Sequence, residues 1–332
     1  MIRVDSLQVM ALAIFSFGLL GCGGPQIPAN PPSLCFMDAP MLDDGSGERS
    51  PRASEWVSLI LGDNAAMDRT APAQACTGEA IQWPSADECG REDGSPTAAT
   101  LQDASVVVRM VDADTRLVWI QSHRYAGDAQ EALGPVALVQ KTTEIPELRS
   151  AGWVVRSLGM LRGRTGDVTM RLRGTAHEGL LIAEGQTCAS DDESSCTRSA
   201  RLLPMVGHRF MPSPVYTAAD DCVGPAEIYT TRYQEAALDT GWSRLFHLTG
   251  SFQYANGGLT ITESITATDT SPDHPEVPAR RFRLVDAQRS MSLEDGRLVA
   301  DGTPVWPRML SHNGNTVVNG DDESTNTDSA SE

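Results

Sequence analysis

The segment FHLTGSFQYANGGLTITESIT, residues 246–266, decides the fold class. Phe246, Leu248, Phe252 and Tyr254 share one phase of a two-residue period, with Gly250 between them. Beyond Asn256-Gly257-Gly258, Leu259, Ile261 and Ile265 alternate with Thr260, Thr262, Ser264 and Thr266. Successive side chains of a strand point to opposite faces, so each run puts apolar groups on one side and polar groups on the other. Asn-Gly between two such runs signals a hairpin, because the tight turn that matches strand twist needs positive φ at both central positions. The segment therefore predicts a pair of antiparallel strands with one wet face.

The same period recurs on both sides. Val168, Met170 and Leu172 alternate with Thr169, Arg171 and Arg173. Asp112-Ala113-Asp114-Thr115 joins Val106–Val111 to Leu117–Gln121 as a second hairpin. Further strands are expected at 136–140, 153–158, 180–184, 227–233, 281–285 and 297–300. About ten strands with short connections predict an all-β fold, antiparallel because such sheets tolerate one solvated face. A sandwich and a barrel both satisfy this pattern. Helical pattern is scarce, with two turns expected over Glu144–Ala151, where Pro146 stands near the start and Gly152 follows. Residues 101–310 form the predicted β domain. Residues 35–100 are expected to be irregular and docked on it, with Trp56–Leu61 as their regular buried element. The end, 311–332, has no lysine or arginine and little apolar surface to offset ordering entropy, which predicts a disordered acidic tail.

The N-terminus has another organisation. Met1–Gln8 carries Arg3 and Asp5, and Val9–Leu20 is almost wholly apolar. That run is shorter than the roughly 20 residues a bilayer-spanning helix needs, and matches the apolar section of a signal peptide. It ends in Leu19-Leu20-Gly21-Cys22. These residues resemble the lipobox of bacterial lipoproteins: Leu, a small or apolar residue, Gly or Ala, then Cys. The resemblance covers residues 1–22 and implies a signal peptide over 1–21, diacylglycerol on the Cys22 thiol and acylation of the new amino group. More than one acyl chain gives stable anchoring where one is marginal. An Asp after the Cys favours retention at the inner membrane in that family. Gly23 stands there instead, so the resemblance implies the cell envelope at the outer membrane, on a periplasmic or surface face. Residues 22–34 then form a lipidated, Gly- and Pro-rich tether.

The chain holds 26 basic and 44 acidic residues, a net charge of −18, with Lys141 as its single lysine. Nucleic acid and anionic lipid surfaces both demand clustered positive charge, so neither is an expected partner. The membrane is reached through the lipid on Cys22. Of seven cysteines, Cys35, Cys76, Cys89, Cys188, Cys196 and Cys222 remain, an even number that reads as disulfides in an exported protein. Three precede residue 90 and three follow residue 187, so full pairing forces at least one bridge across these groups. The expected pairs are Cys76–Cys89, Cys188–Cys196 and the crossing Cys35–Cys222. A structural zinc site is disfavoured because no pair has the close C-x₂₋₄-C spacing.

Catalytic signatures fail one by one. Gly241-Trp242-Ser243-Arg244-Leu245 lacks the second glycine of a nucleophile elbow and precedes a strand. Leu138 occupies the place of serine three residues before Lys141. His177-Glu178-Gly179-Leu180-Leu181 puts leucine where a zincin needs its second histidine. No phosphate-binding glycine motif is present, and no cofactor is expected. Asp191, Asp192 and Glu193, with Asp220 and Asp221, lie beside cysteines and offer hard oxygens to calcium, although neither loop has the spacing of an EF-hand. Glycoside hydrolysis asks only for two suitably spaced carboxylates, which sequence alone neither supports nor removes. The expected role is non-catalytic binding or structural support in the cell envelope. The alternatives are a surface-tethered hydrolase acting on glycans and a carrier of an apolar ligand.

Overall fold

The computed structural model describes residues 35–42, 45, 47–62, 75–77, 89, 105–121, 123–124, 131–143, 151–174, 178–188, 196–238, 241–255, 257–271 and 273–312. Its N-terminal half contains β1 (Phe36–Asp38), α1 (Ala53–Leu61), β2 (Ser105–Met110), β3 (Thr115–Gln121), β4 (His123–Arg124), β5 (Glu131–Thr142), β6 (Gly152–Arg164), β7 (Gly166–Gly174), β8 (Glu178–Cys188) and β9 (Cys196–Val206). Its C-terminal half adds β10 (Arg209–Phe210), β11 (Val215–Thr217), β12 (Cys222–Gly224), β13 (Glu227–Ala237), β14 (Ser243–Ala255), β15 (Gly258–Thr270), β16 (Arg280–Glu294), β17 (Arg297–Ala300) and α2 (Val305–His312). The expected signal peptide, tether, Glu144–Ala151 helix and most of the acidic tail lie outside the described residues.

The all-β class holds, but the count is 17 strands rather than about ten. They form one mixed sheet, because β10 runs parallel to β6 and β11 parallel to β17 while the remaining pairings are antiparallel. Two causes explain the difference. Strands of two or three residues, such as β4, β10 and β12, are too short to show a period. In β9, Ala200–Met205 is buried on both faces, so its alternation disappears into a continuous apolar run.

The first half curls in the lateral order β2–β3–β5–β6–β10–β9–β8–β7. Its interior is filled: Leu117, Trp119, Val136, Leu138, Leu161, Met170, Leu181, Met205 and Phe210 form one buried cluster, with Trp119 at 0% exposure. The curl does not close into a barrel. Among the described residues no ladder joins β2 to β7. Arg109 spans the gap, its Nε donating to the Val168 carbonyl at 2.8 Å. The opposite face of β3, β5 and β6 is covered by α1. Trp56, Leu59 and Ile60 pack there on Val118, Ile120, Val139 and Val155, and Trp56 meets Trp153 edge-on at 5.2 Å. The α1 helix realises the expected Trp56–Leu61 element. Glu55 in its first turn accepts the Arg52 N–H at 2.6 Å, and hydrogen bonds from Arg49 hold its carboxyl down at about 2.

The second half folds back over the first. β13 pairs with β9 from Glu227, then crosses to β14 after a bulge at Thr230. The ladder continues β13–β14–β15–β16–β17–β11–β12. Leu259, Ile261, Met291 and Leu298 on its inner face pack on Leu180, Ile182, Ala200 and Leu202, the outward side of β8 and β9. Farther along that face, Phe246, Leu248, Ile265 and Ala267 are covered by Val305, Trp306 and Met309 of α2. The predicted hairpin is present: β14 and β15 pair from Ser243↔Thr270 to Ala255↔Gly258, with Gly257 at φ 78°. Gly250 is required for a second reason. A Cβ there would lie 2.4 Å from the Tyr229 carbonyl, where β13 crosses between layers. Gly250→Ala is expected to cost about 1–3 kcal/mol through forced backbone displacement. Gly47→Ala, whose nearest atom would be 3.9 Å away, should stay within about 0.5 kcal/mol. Urea midpoints of the two variants check this; equal midpoints would remove the crossing constraint.

All six cysteines after Cys22 are bridged, and two expected pairings change. The bonds are Cys35–Cys76, Cys89–Cys222 and Cys188–Cys196. Cys188 and Cys196 face each other across the β8–β9 hairpin, as expected. Cys76–Cys89 is replaced because the Cys76 N–H bonds to the Ile60 carbonyl at the end of α1. There it meets Cys35, whose carbonyl is tied to Val155 of β6. Cys89 rather than Cys35 then supplies the crossing bridge that parity demands.

Candidate functional site

The inner face of β15 follows a strict alternation in Leu259, Ile261, Ile265 and Ala267, and Glu263 stands in that apolar phase. Its side chain is 3% exposed. Arg289 of β16 enters the same face at 6% exposure, with Nε 3.3 Å and Nη2 3.4 Å from the two carboxylate oxygens. The Val305 N–H, first in α2, also points to Glu263 Oε2 at 3.4 Å. A carboxylate at a helix N-terminus satisfies an otherwise orphaned donor and complements the helix dipole. Glu263 thus ties β15, β16 and α2 at one point.

A second set of buried charges lies where the two layers join. Glu131 accepts Arg162 Nε at 2.6 Å, and Arg201 stands 3.7 Å from Glu131 and 3.4 Å from Glu227. Arg164 hydrogen-bonds Ser199 Oγ at 3.1 Å and Thr187 Oγ1 at 2.7 Å. Burial pushes the Glu227 carboxyl up, but Arg201, Ser199 and Arg164 outweigh it and hold the group below the ordinary range.

Between these two sets lies a cavity of about 490 Å³, lined by residues of β11–β16 and the start of α2. Val215, Val223, Leu248, Met291 and Trp306 give it apolar walls, while Glu227, Tyr229, Arg232, Glu263, Arg289 and Arg308 supply polar groups. The volume falls within the roughly 300–1,000 Å³ usual for small-molecule sites, and apolar walls with a few convergent polar groups are their common chemistry. Burial foremost, together with Glu227, raises the Tyr229 hydroxyl to about 12, so it stays neutral.

The cavity is assembled from residues that the sequence did not single out. Of the expected sites, Cys22, Asp191, Asp192 and Glu193 lie outside the described residues. Asp220 is engaged, accepting Arg297 Nη2 at 2.7 Å, and Asp221 sits in the adjoining turn with its N–H on Thr217 Oγ1. Among the described residues no three His, Cys, Asp or Glu side chains converge to hold a metal. Ser243 is the first residue of β14 and donates to Glu235. The signal that would have found Glu263 was its place in the apolar phase of a strand. No known family model, curated protein or solved structure matches the chain. Fold and site therefore define the class: a disulfide-tied, mainly β body with a cavity built by the strands of its second layer and α2.

Proposed function

We propose that this chain is an exported, lipid-anchored protein of the cell envelope whose β body serves as a non-catalytic binding module. The observation that carries the export is the closure of all six cysteines after Cys22 into disulfides, which persist in oxidising compartments. The lipobox-like residues Leu19–Cys22 supply the anchor, and the outer membrane follows from Gly23. A binding role fits better than glycan hydrolysis. A glycosidase needs one carboxyl poised to donate a proton beside an ionised partner. Here Glu227 is held ionised beside Arg201, and Glu263 is clasped by Arg289 and the Val305 N–H. Enclosure of a wholly apolar ligand within the curl is disfavoured too, since side chains fill its interior around Trp119.

The anchor is tested with Cys22→Ser in the native host. Loss of radiolabelled palmitate incorporation and accumulation of the uncleaved precursor are expected. Processing and labelling equal to the parent would contradict the proposal.

A further inference from the structure

Each carboxylate that lines the cavity already has a guanidinium of its own, Glu263 with Arg289 and Glu227 with Arg201. Arg232 is different. Its register partner on β14 is Leu248, another cavity residue, and cross-strand neighbours share a face. Its guanidinium lies over the Tyr229 ring at 4.5 Å and over Trp306 at 5.5 Å. The side chain is half-buried, and no described carboxylate pairs with it. Tyr229 is neutral and offers no countercharge. Arg308 places a second guanidinium at the exposed rim.

We propose that this cavity binds a small amphipathic carboxylate, its anionic end on Arg232 and its apolar body against Val215, Met291 and Trp306. The inference deepens the reading of the body as a binding module. A planar guanidinium fixed by aromatic faces presents parallel donors to a carboxylate with little ordering left to lose. Cation–π stacking holds the charge without neutralising it. The net charge of −18 opposes an anion at long range, yet screening confines that repulsion to about 8 Å at physiological salt. Inside the cavity the Arg232 guanidinium is the charge that no described carboxylate pairs with.

The test is titration calorimetry of the full-length protein as its host processes it, held in phospholipid nanodiscs with empty discs as blank. The probes are 2-naphthoate and the neutral 2-naphthalenemethanol. Naphthoate should bind about tenfold to a hundredfold tighter than the alcohol, as expected for a partly desolvated charge-assisted contact. Arg232→Gln should erase that difference while the alcohol binds as before, which also shows that the cavity is intact. Arg232→Lys should keep part of it. No binding of naphthoate, equal binding of the two probes, or an unaltered preference in Arg232→Gln overturns the proposal. None of these results depends on whether Cys22 carries lipid, so failure here is separable from failure of the anchor.

Discussion

Arg289→Ala is expected to lower the unfolding free energy by about 3–5 kcal/mol, the range for removing one partner of a buried ion pair. The contacts themselves, 3.3 and 3.4 Å, are not short. The loss comes from leaving the Glu263 carboxylate, 3% exposed, without its countercharge. One further result distinguishes this from simple loss of packing. Arg289→Met combined with Glu263→Gln should recover most of the stability, because no uncompensated charge remains. A double variant no more stable than Arg289→Ala would show that Glu263 is not the group responsible. Glu227 adds a pH dependence of its own. Its lowered value gives stability that is present above the unfolded value and lost as pH falls through the folded one.

The second large effect concerns the crossing bridge. Cys89 and Cys222 are 133 residues apart, and closing a loop of that size removes about 5 kcal/mol of unfolded-chain entropy. For Cys188 and Cys196, separated by 8, the same relation gives about 2.5 kcal/mol. The double replacement Cys89→Ala with Cys222→Ala should therefore cost markedly more than Cys188→Ala with Cys196→Ala in denaturant midpoint. Equal losses would contradict this dependence on loop length.

Much of the fold was legible in the sequence, and the exceptions share a cause. The β14–β15 hairpin was visible because one face is wet, which preserves alternation from Phe246 to Thr266. β9 was invisible because both faces are covered, Leu203 and Met205 by the curl and Ala200 and Leu202 by the second layer. The short helix α2 carries Pro307 in its first turn and resembles a loop until Val305, Trp306 and Met309 are seen buried on β14 and β15. The cavity was hidden because Glu227, Arg232, Glu263, Arg289 and Trp306 converge only through the β13–β16 pairings and the seating of α2 on them. In a chain with 70 charged side chains, the few that are buried look like the rest unless their phase within a strand is read. Disulfide pairing escaped for a related reason. Parity required a crossing bridge, but which cysteine supplied it depended on β1 docking on β6.

Intact-mass analysis of the protein purified from its host, before and after reduction, tests the central claim most directly. A chain beginning at Cys22, carrying diacylglycerol with a further acyl chain, and offering no thiol to alkylation until reductant exposes six, is the predicted result. A retained leader, an unmodified Cys22, or four or more thiols free before reduction would contradict it.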